Sequence, residues 1–333
     1  LSEGLTGPDA IEAETGMDPN WEKGMWVNQG LANPKVLSDR SEEVLEETDA
    51  YRVVRTSLGG VRKFSKLGSS ITEHLAEDLK PTRKDWERFK GYLDPNDPAR
   101  RPSDWREKAR QVDAEDRVKC FFAGGLYGSL RGWLGTEQVS FLPYDDPALF
   151  DEMIEYLADF YMAMIDPVLD YVHFDFGYYF EDCCFNSGPL FSPATYERHF
   201  APHYRRMIEH YKARGVPRIL LDSDGNVEQM VPLWLRDGVD IIFPLEVGTW
   251  RADPVAYRRE YGKRIRMFGG VDKHVIPRGE AAIRAELERL VPLVAGGGYI
   301  PIPDHRIPPS CSLEQFRTYT RVFKEVFAEV GTG

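Results

Sequence analysis

The sequence predicts an α/β protein built as a TIM (β/α)8 barrel, and three observations lead to this fold class. The chain has 333 residues, 42% of them apolar, which suits the core and the length of such a barrel. From about residue 117, short β-branched or aromatic runs alternate with longer amphipathic stretches, as in parallel βα units. Polar residues directly follow several of these runs. We therefore expect one domain over residues 1–333, with an N-terminal covering part (1–110) and a recognisable barrel (111–330).

Six strands are predicted in the second part of the chain, where buried runs are bounded by turn residues. They are RVKCFF (117–122), YVHFDF (171–176), RILLD (218–222), VDIIFP (239–244), RIRMFG (264–269) and GYIPIP (298–303). Helices are predicted near 147–165, 192–214, 227–236, 253–261, 279–294 and 312–330. Ser192-Pro193, and Ser312 with Gln315, supply N-terminal capping signals for two of them. A barrel of this kind needs eight strands, so we expect two more from the first hundred residues or from a segment preceding Leu1.

The first 110 residues have a different pattern. YRVVRTSLGGVRKFS (51–65) predicts a hairpin, and GYLDPNDPARRPSDWREKAR (91–110) predicts a Pro- and charge-rich loop that leads into a helix. We interpret this part as a cover packed on the barrel. The glycines at 296–298 precede a strand, which favours a helix-to-strand turn over a phosphate-binding loop.

The charge of the chain disfavours two classes of partner. A formal net charge of −12 and a pI near 5.2 argue against nucleic acid and anionic membrane surfaces, because both require basic patches. No apolar run approaches the roughly 18 residues of a membrane span, and the first residues lack the features of a secretory signal. We therefore expect a cytoplasmic protein.

The four cysteines have no CxxC spacing and no obvious activating cation, so we expect reduced, inert thiols at Cys120, Cys183, Cys184 and Cys311.

The first candidate site consists of polar side chains at the ends of three predicted strands. These residues are Asp222, Asp224, Glu246 and His305. In a parallel barrel such strand ends meet at one mouth. Asp222 and Asp224 are two residues apart, so an extended segment directs both side chains the same way, and two adjacent carboxylates invite a cation. Three oxygen ligands and one nitrogen ligand suit zinc or a harder divalent ion. The pattern therefore predicts a catalytic metal site.

Each of these residues also has a simpler interpretation. Asp224 could cap the helix that follows it. Glu246 would incur a desolvation penalty without a partner, and a salt bridge with Arg251 or Lys273 would supply one. His305 could be a general acid or a simple hydrogen-bonding residue. Only their common position at the mouth of the predicted barrel favours a metal site formed by all four residues.

A second cluster lies in VHFDFGYYFEDCCFNSGPLFSP (172–193). We expect His173 and Asp175 on one face of a strand and directed into the barrel, with a mutual pair in the core as the favoured interpretation of His173. The residues from Tyr178 onward are expected in the loop beyond that strand. An aromatic, acidic loop over the mouth suits an uncharged or cationic substrate with a planar part, although the aromatic residues could simply pack. The candidate substrate-binding residues are Asp175, Tyr178, Tyr179, Asp182 and Asn186, with Asp272 and Lys273 at the border of the pocket.

Five segments in order resemble the uroporphyrinogen decarboxylase superfamily, over roughly residues 110–330. They are SGPLFSPATYERHFAPHYRRMIEHYKARG (187–215), LLDSDGN (220–226), GVDIIFPLEV (238–247), YGKRIRMFGGVDK (261–273) and GGGYIPIPDHRIPPSCSLEQF (296–316). The resemblance implies a TIM barrel with its site at the C-terminal mouth. The superfamily includes the haem-pathway decarboxylase and zinc-dependent methyltransferases that transfer methyl groups to or from a corrinoid protein or a thiol.

The resemblance also implies roles for particular residues. The methyltransferase branch typically has a His-x-Cys-Gly segment where this chain has Asp222-Ser223-Asp224-Gly225, a later ligand cysteine at the position of His305, and a glutamate at that of Glu246. All these positions carry metal-competent side chains here, but none is a thiolate. Zinc is the first expectation, and the donor set leaves the metal identity open. The decarboxylase branch also has a histidine at position 305, together with an arginine-rich RQAGRY-like segment that this sequence lacks.

The first hypothesis is a metal-dependent methyltransferase that moves a methyl group from a methoxylated or methylamino small molecule to a corrinoid protein. The ion would activate the leaving group as a Lewis acid. The alternative is a uroporphyrinogen decarboxylase-type tetrapyrrole decarboxylase of porphyrin biosynthesis, for which an acidic mouth is poorly matched to a heavily carboxylated substrate. A further alternative is a non-catalytic barrel that binds a ligand. A homodimer is compatible with each hypothesis.

Overall fold

An antiparallel sheet precedes the parallel part of the fold. The computed structural model describes residues 8–17, 23–67, 72–308, 310–328 and 330. The first sheet contains, in spatial order, β1 (Glu43–Glu47), β2 (Tyr51–Arg55), β3 (Val61–Ser65) and β4 (Glu73–Ala76). Strands β2 and β3 pair from Tyr51 with Ser65 to Arg55 with Val61, which confirms the hairpin predicted over 51–65.

The remaining strands include a six-stranded parallel sheet. In chain order they are β5 (Cys120–Gly124), β6 (Phe176–Phe180), β7 (Cys184–Phe185), β8 (Gly188–Pro189), β9 (Ile219–Asp222), β10 (Ile241–Leu245), β11 (Arg266–Val271) and β12 (Tyr299–Pro303). Strands β7 and β8 form a small hairpin, and the others form the sheet in the order β12-β11-β10-β9-β6-β5. The α/β class is therefore confirmed, and each of the six predicted strands has a counterpart in this sheet, although their bounds differ.

The largest error in strand position concerns β6, which begins at Phe176, whereas the sequence predicts a strand over 171–176. The segment FGYYF is a run of mostly buried residues, as expected for a strand covered on both faces. The apparent alternation in the preceding residues arises because His173 and Asp175 are exposed before the strand begins.

Helices lie between the strands of the parallel sheet and around it. They are α1 (Pro8–Thr15), α2 (Arg83–Lys90), α3 (Trp105–Asp113), α4 (Leu126–Asp145), α5 (Pro147–Leu169), α6 (Pro193–Thr195), α7 (Ala201–Ala213), α8 (Val231–Arg236), α9 (Val247–Trp250), α10 (Pro254–Tyr261), α11 (Glu280–Glu288), α12 (Val291–Ala295) and α13 (Leu313–Phe327). A π-helical turn at Tyr196–Phe200 joins α6 to α7. The capping box of Ser312 and Gln315 is confirmed at the start of α13. Among the helices of the described ranges, not one has both the length and the apolarity needed to cross a bilayer.

The parallel sheet is strongly curved. Neighbouring strands lie about 4.8 Å apart, so three spacings along a flat sheet would span about 14 Å. The rings of Phe176 on β6 and Phe268 on β11 are three strands apart, yet their centroids are separated by 6.4 Å. Phe243 on β10 also contacts Phe268 at 6.4 Å, so these rings share the concave face. In the described residues no pairing joins β5 to β12, and the eight-stranded closure predicted from the sequence is not detected.

The N-terminal part contacts the parallel sheet and its helices. A 3-10 helix at Met25–Gly30 lies along the free edge of β5, where Asn28 Oδ1 accepts from Phe122 N at 2.9 Å and Gln29 Nε2 donates to Cys120 O at 2.9 Å. At the other end of the chain, Arg317 Nε of α13 donates to Glu14 Oε1 of α1 at 2.9 Å. These contacts are of the kind expected for a cover, while the boundary near residue 110 stays a prediction.

Candidate functional site

Three potential ligand atoms from three strand ends lie together at the carboxyl edge of the parallel sheet. Asp224 follows β9, Glu246 follows β10 and His305 follows β12. A carboxylate oxygen from each acid and an imidazole nitrogen all lie within 4.8 Å of one another. His305 Nε2 is 3.2 Å from Asp224 Oδ2. We call these three residues the ligand group. They are distant in sequence, and the curvature of the sheet brings them together.

The turn after β9 orients two members of the ligand group. Gly225 has a φ of +81°, a conformation that residues with a Cβ rarely adopt. A Cβ added there would lie 2.7 Å from the carbonyl oxygens of Cys184 and Phe185, so the turn packs tightly on β7. Gly225 N donates to Glu246 Oε2 at 2.6 Å. Thr249 Oγ1 donates to the other oxygen of Glu246 at 3.2 Å.

The ligand group has perturbed proton affinities. Burial raises the pKa of Glu246 and the negative charge of Asp224 adds to this rise, whereas the Gly225 N–H opposes it. The hydrogen bond to Asp224 raises the pKa of His305, with desolvation acting in the opposite direction. Two acids that are close together and partly removed from water would be relieved of mutual repulsion by a bound cation.

The donor set fits a divalent cation. Zinc accepts both imidazole nitrogen and carboxylate oxygen, and three protein ligands with one open position are the arrangement found in catalytic rather than structural zinc sites. The absence of a thiolate from the ligand group leaves other divalent ions suitable. Neither simpler interpretation of the acids applies in the described residues: α8 begins at Val231, too far along for an Asp224 cap, and no ion pair joins Glu246 to Arg251 or Lys273.

Asp222 does not belong to the ligand group, so the expected set of four is reduced to three. Its buried carboxylate accepts a hydrogen bond from the Tyr178 hydroxyl. The prediction assumed extended backbone from Asp222 to Asp224. Strand β9 ends at Asp222, however, and the two carboxylates have different partners, the Tyr178 hydroxyl for Asp222 and His305 Nε2 for Asp224.

The two tyrosines expected in a loop lie within β6 and point to opposite faces of the sheet. Tyr178 faces Asp222, on the side of the ligand group. Tyr179 is fully buried against Tyr204 of α7, with ring centroids 5.1 Å apart, so it belongs to the contact between sheet and helix. The loop position predicted for both residues is wrong because the strand begins later than expected.

The other expected substrate-binding residues lie in varied surroundings. Asp182 forms an ion pair with Arg131 of α4. Asn186 is exposed in the turn between β7 and β8. Asp272 accepts from His274 N at 2.9 Å and caps a short 3-10 helix, Lys273–Arg278. Lys273 lies beside the ligand group: its Nζ is 3.9 Å from Asp304 Oδ1, the residue before His305, and its charge opposes the rise in the pKa of His305.

Asp175 lies at the amino end of β6, away from the ligand group. Its carboxylate accepts from Lys119 N at 2.7 Å. The His173 side chain is 95% exposed and its Nδ1 lies 3.1 Å from Asp113 Oδ1. The expected inward direction of both residues and their pairing in the core are therefore wrong, since neither residue is part of the strand.

Two buried acids near the carboxyl edge, Glu181 and Asp304, are not among the site residues predicted from the sequence. Glu181 follows β6 and accepts from Leu126 N at 2.7 Å and Gly128 N at 2.9 Å, at the start of α4. Burial raises the pKa of Glu181 to about 7. Asp304 follows β12 and accepts from the backbone of Val247 and Gly248. The available signal was the same as for the ligand group, a polar residue that follows a strand of the parallel sheet.

Comparisons with known proteins extend these observations. The chain is similar to a solved structure of a methyltransferase from Methanosarcina mazei, with a TM-score of 0.55 and 13% identity over 97% of this chain and 92% of that chain. This likeness establishes a shared fold. No curated protein matches the sequence. The family model for uroporphyrinogen decarboxylase (URO-D) matches residues 130–326, which is more than half of the chain. The chain therefore belongs to the uroporphyrinogen decarboxylase family, as the resemblance of its five segments predicted.

Proposed function

We propose that this protein is a metal-dependent methyltransferase that moves a methyl group from a methoxylated or methylamino small molecule to a corrinoid protein. The observation that carries the proposal is the ligand group, in which atoms of Asp224, Glu246 and His305 lie within 4.8 Å of one another. Membership of the uroporphyrinogen decarboxylase family supports a site at the carboxyl edge of the parallel sheet. The fold shared with a methyltransferase supports methyl transfer over decarboxylation as the reaction. The curvature of the six parallel strands supports a closed eight-stranded barrel as its scaffold.

The proposed cofactors are a divalent ion, with zinc as the first candidate, and a corrinoid supplied by a partner protein. A divalent ion in such a site supplies Lewis acidity toward the oxygen or nitrogen that leaves the methyl group. Asp224 Oδ2, a Glu246 carboxylate oxygen and His305 Nε2 would hold it. Gly225 N and the Thr249 hydroxyl orient Glu246. The contact between His305 Nε2 and Asp224 Oδ2 holds these two atoms close together, and an ion bound between them would replace the proton that they share.

Residues on the concave face of the sheet would bind the organic part of the substrate. Phe243 and Phe268 are partly buried and flank one another there, and they offer apolar surface to a planar group. Tyr178 and its partner Asp222 add a polar pair on the same side of β6 and β9. Such a surface suits a neutral or cationic substrate better than a polycarboxylate.

The proposal is tested by metal analysis combined with a methyl-transfer assay. Purified protein is reconstituted with zinc, its bound metal is quantified, and it is incubated with cob(I)alamin and a panel of methoxylated and methylamino compounds. We expect about one ion per chain and metal-dependent formation of methylcobalamin with at least one compound. The Asp224→Asn variant should fail in both measurements, because it replaces a ligand carboxylate by a weaker amide.

Two results would replace the proposal. Metal-free protein that decarboxylates uroporphyrinogen would establish the decarboxylase alternative. Stoichiometric ligand binding without turnover of any compound, in the presence of bound metal and cob(I)alamin, would indicate a non-catalytic ligand-binding barrel.

A further inference from the structure

Asp304 is the most deeply buried acid beside the ligand group, with a relative exposure of 0%. Its Oδ2 accepts from Val247 N at 2.9 Å and from Gly248 N at 2.6 Å. Its Oδ1 accepts from Lys273 N at 3.2 Å, and Lys273 Nζ lies 3.9 Å from the same oxygen. One carboxylate therefore joins the segments that follow β10, β11 and β12.

The surroundings compensate for burying this charge. An unpaired carboxylate in the interior would be strongly destabilising. Val247 and Gly248 begin the short helix α9, and the first N–H groups of a helix have no partner within it. Asp304 supplies that partner, and Lys273 balances the negative charge. The position of α9 relative to β12 is consequently fixed by hydrogen bonds to a single side chain.

This arrangement determines the spacing of two members of the ligand group. Glu246 directly precedes Val247, whose N–H binds Asp304, and His305 directly follows Asp304. The backbone of Asp304 is itself anchored by its N–H, which donates to Val271 O at 2.9 Å. Asp224 is then connected to Glu246 through the Gly225 N–H. A shift of the Asp304 carboxylate would separate Glu246 from His305, while both side chains remained present.

We propose that Asp304 is the positioning residue of the ligand group, holding Glu246 and His305 at the separation that a divalent cation requires. This inference rests on the proposed function. Asp304 acts through the backbone of α9 and through its own place in the chain, and it does not bind the ion itself. Loss of comparable outer-shell partners in other metal sites costs roughly 10–100-fold in metal affinity.

The test compares wild-type protein with the Asp304→Asn, Asp304→Glu and Asp237→Asn variants. Asp304→Asn keeps the size of the side chain but turns an amide toward N–H donors, and Asp304→Glu keeps the charge but lengthens the side chain. Asp237 is the matched control, because its side chain is equally buried and is held by Tyr196, Arg205 and Arg236 in the helix layer. Each protein is stripped of metal and titrated with Co²⁺ while the visible absorption spectrum is recorded. Zinc affinity is measured by chelator competition, and Tm is measured in parallel.

Both Asp304 variants should bind zinc at least about tenfold more weakly than wild type and should give an altered Co²⁺ spectrum, which reports coordination geometry. Asp237→Asn should lower Tm and leave zinc affinity and the spectrum unchanged. If Asp304→Asn fails to fold, Asp304→Glu provides the same comparison.

Three results would overturn the inference. Wild-type protein that binds neither metal would refute the proposed function together with the role of Asp304. Wild-type binding with unchanged affinity and spectrum in the Asp304 variants would refute the positioning role alone. An equal loss of affinity in Asp237→Asn would show that general destabilisation, and not local positioning, weakens the site.

Discussion

The three members of the ligand group differ in their access to solvent. Glu246 is 5% exposed, whereas the side chains of His305 and Asp224 are 34% and 41% exposed. Glu246 is held from two sides by Gly225 and Thr249. A substrate arriving from solvent would therefore meet Asp224 and His305 first, with Glu246 as the fixed inner ligand.

Single substitutions of Asp222 and Asp224, at the end of β9, distinguish a metal site with three protein ligands from one with four. Asp224→Asn should weaken metal binding by more than the roughly 10–100-fold that an outer-shell loss costs, because it removes a ligand oxygen that carries charge. Asp222→Asn should retain the metal, since its amide oxygen can still accept from Tyr178. Metal content after dialysis against one metal buffer checks both. If Asp222→Asn loses as much metal as Asp224→Asn, Asp222 is also a metal ligand.

The affinity for metal should fall as the pH falls. The pKa of His305 is raised above its usual 6.5 by Asp224, and that of Glu246 is raised above 4.5 by burial. Ligands must be deprotonated to bind, so a proton competes with the ion at every pH below the His305 pKa. The loss should approach about tenfold per pH unit in that range, where one proton is displaced per ion.

Chelator competition between about pH 5.5 and 8.5, a window that brackets the ordinary histidine pKa, measures this dependence. For the metal-free protein the sign is opposite: the raised His305 pKa stabilises the fold below pH 6.5, and this contribution is lost as the pH rises through the raised value. A metal affinity that is independent of pH across the window would contradict the assignment of His305 as a ligand.

Sequence patterns predicted the ligand group for a simple physical reason. Asp224, Glu246 and His305 each follow a strand of the parallel sheet, and parallel strands bring such positions to one edge. Asp304 satisfies the same rule but was missed, because its role depends on N–H groups of a segment more than fifty residues away in the chain. No local pattern encodes that partner. Asp222 lies outside the ligand group because its strand ends at this residue, whereas the prediction extended the alternation of side chains past that end.

At the scale of elements, α4 illustrates how tertiary contacts override local preference. No helix was predicted over Leu126–Asp145, where several glycines lower the helix propensity. Gly128 permits a close approach, since an added Cβ would lie 2.3 Å from the Phe180 carbonyl oxygen. Glu181 then satisfies the first N–H groups of the helix from the end of β6. These contacts join elements that are distant in sequence, so a local pattern could not reveal them.

Two glycine substitutions should change stability in opposite directions. Gly225→Ala should destabilise the fold by about 2 kcal/mol or more, because a Cβ is strained at a positive φ and would meet two carbonyl oxygens. It should also weaken metal binding, since the turn orients Glu246. Gly132→Ala in α4 should stabilise the fold by about 0.5–1 kcal/mol, because the new Cβ meets nothing within 4 Å and alanine favours helix. Denaturant unfolding measures both. A neutral Gly225→Ala would refute the tight packing of this turn on β7.

At the scale of the whole molecule, the parallel arrangement of the strands and a covering N-terminal part followed from the sequence, but the segment that lies along the edge of the sheet did not. Alternating βα units specify which strands are parallel and where their carboxyl ends lie. The edge of β5 is instead covered by the 3-10 helix Met25–Gly30, which has no strand pattern. Its attachment depends on Asn28 and Gln29, which bind the backbone of β5, and on Trp26, whose ring centroid lies 4.9 Å from that of Phe122 on β5.

Removal of the Asn28 side chain tests whether this segment is an integral part of the fold. Asn28 is fully buried and has a φ of 45°, which asparagine tolerates better than alanine. Asn28→Ala deprives the buried Phe122 N–H of its acceptor, at a cost of about 1–3 kcal/mol, and adds backbone strain of about 1 kcal/mol. Equilibrium unfolding in denaturant should therefore show a clear loss of stability at an unchanged m-value. His173→Ala should stay within about 0.5 kcal/mol of wild type, because this side chain is 95% exposed and precedes the first residue of β6. If Asn28→Ala is as stable as His173→Ala, the segment is not bound to β5 in solution, and the edge of the sheet must be protected in another way.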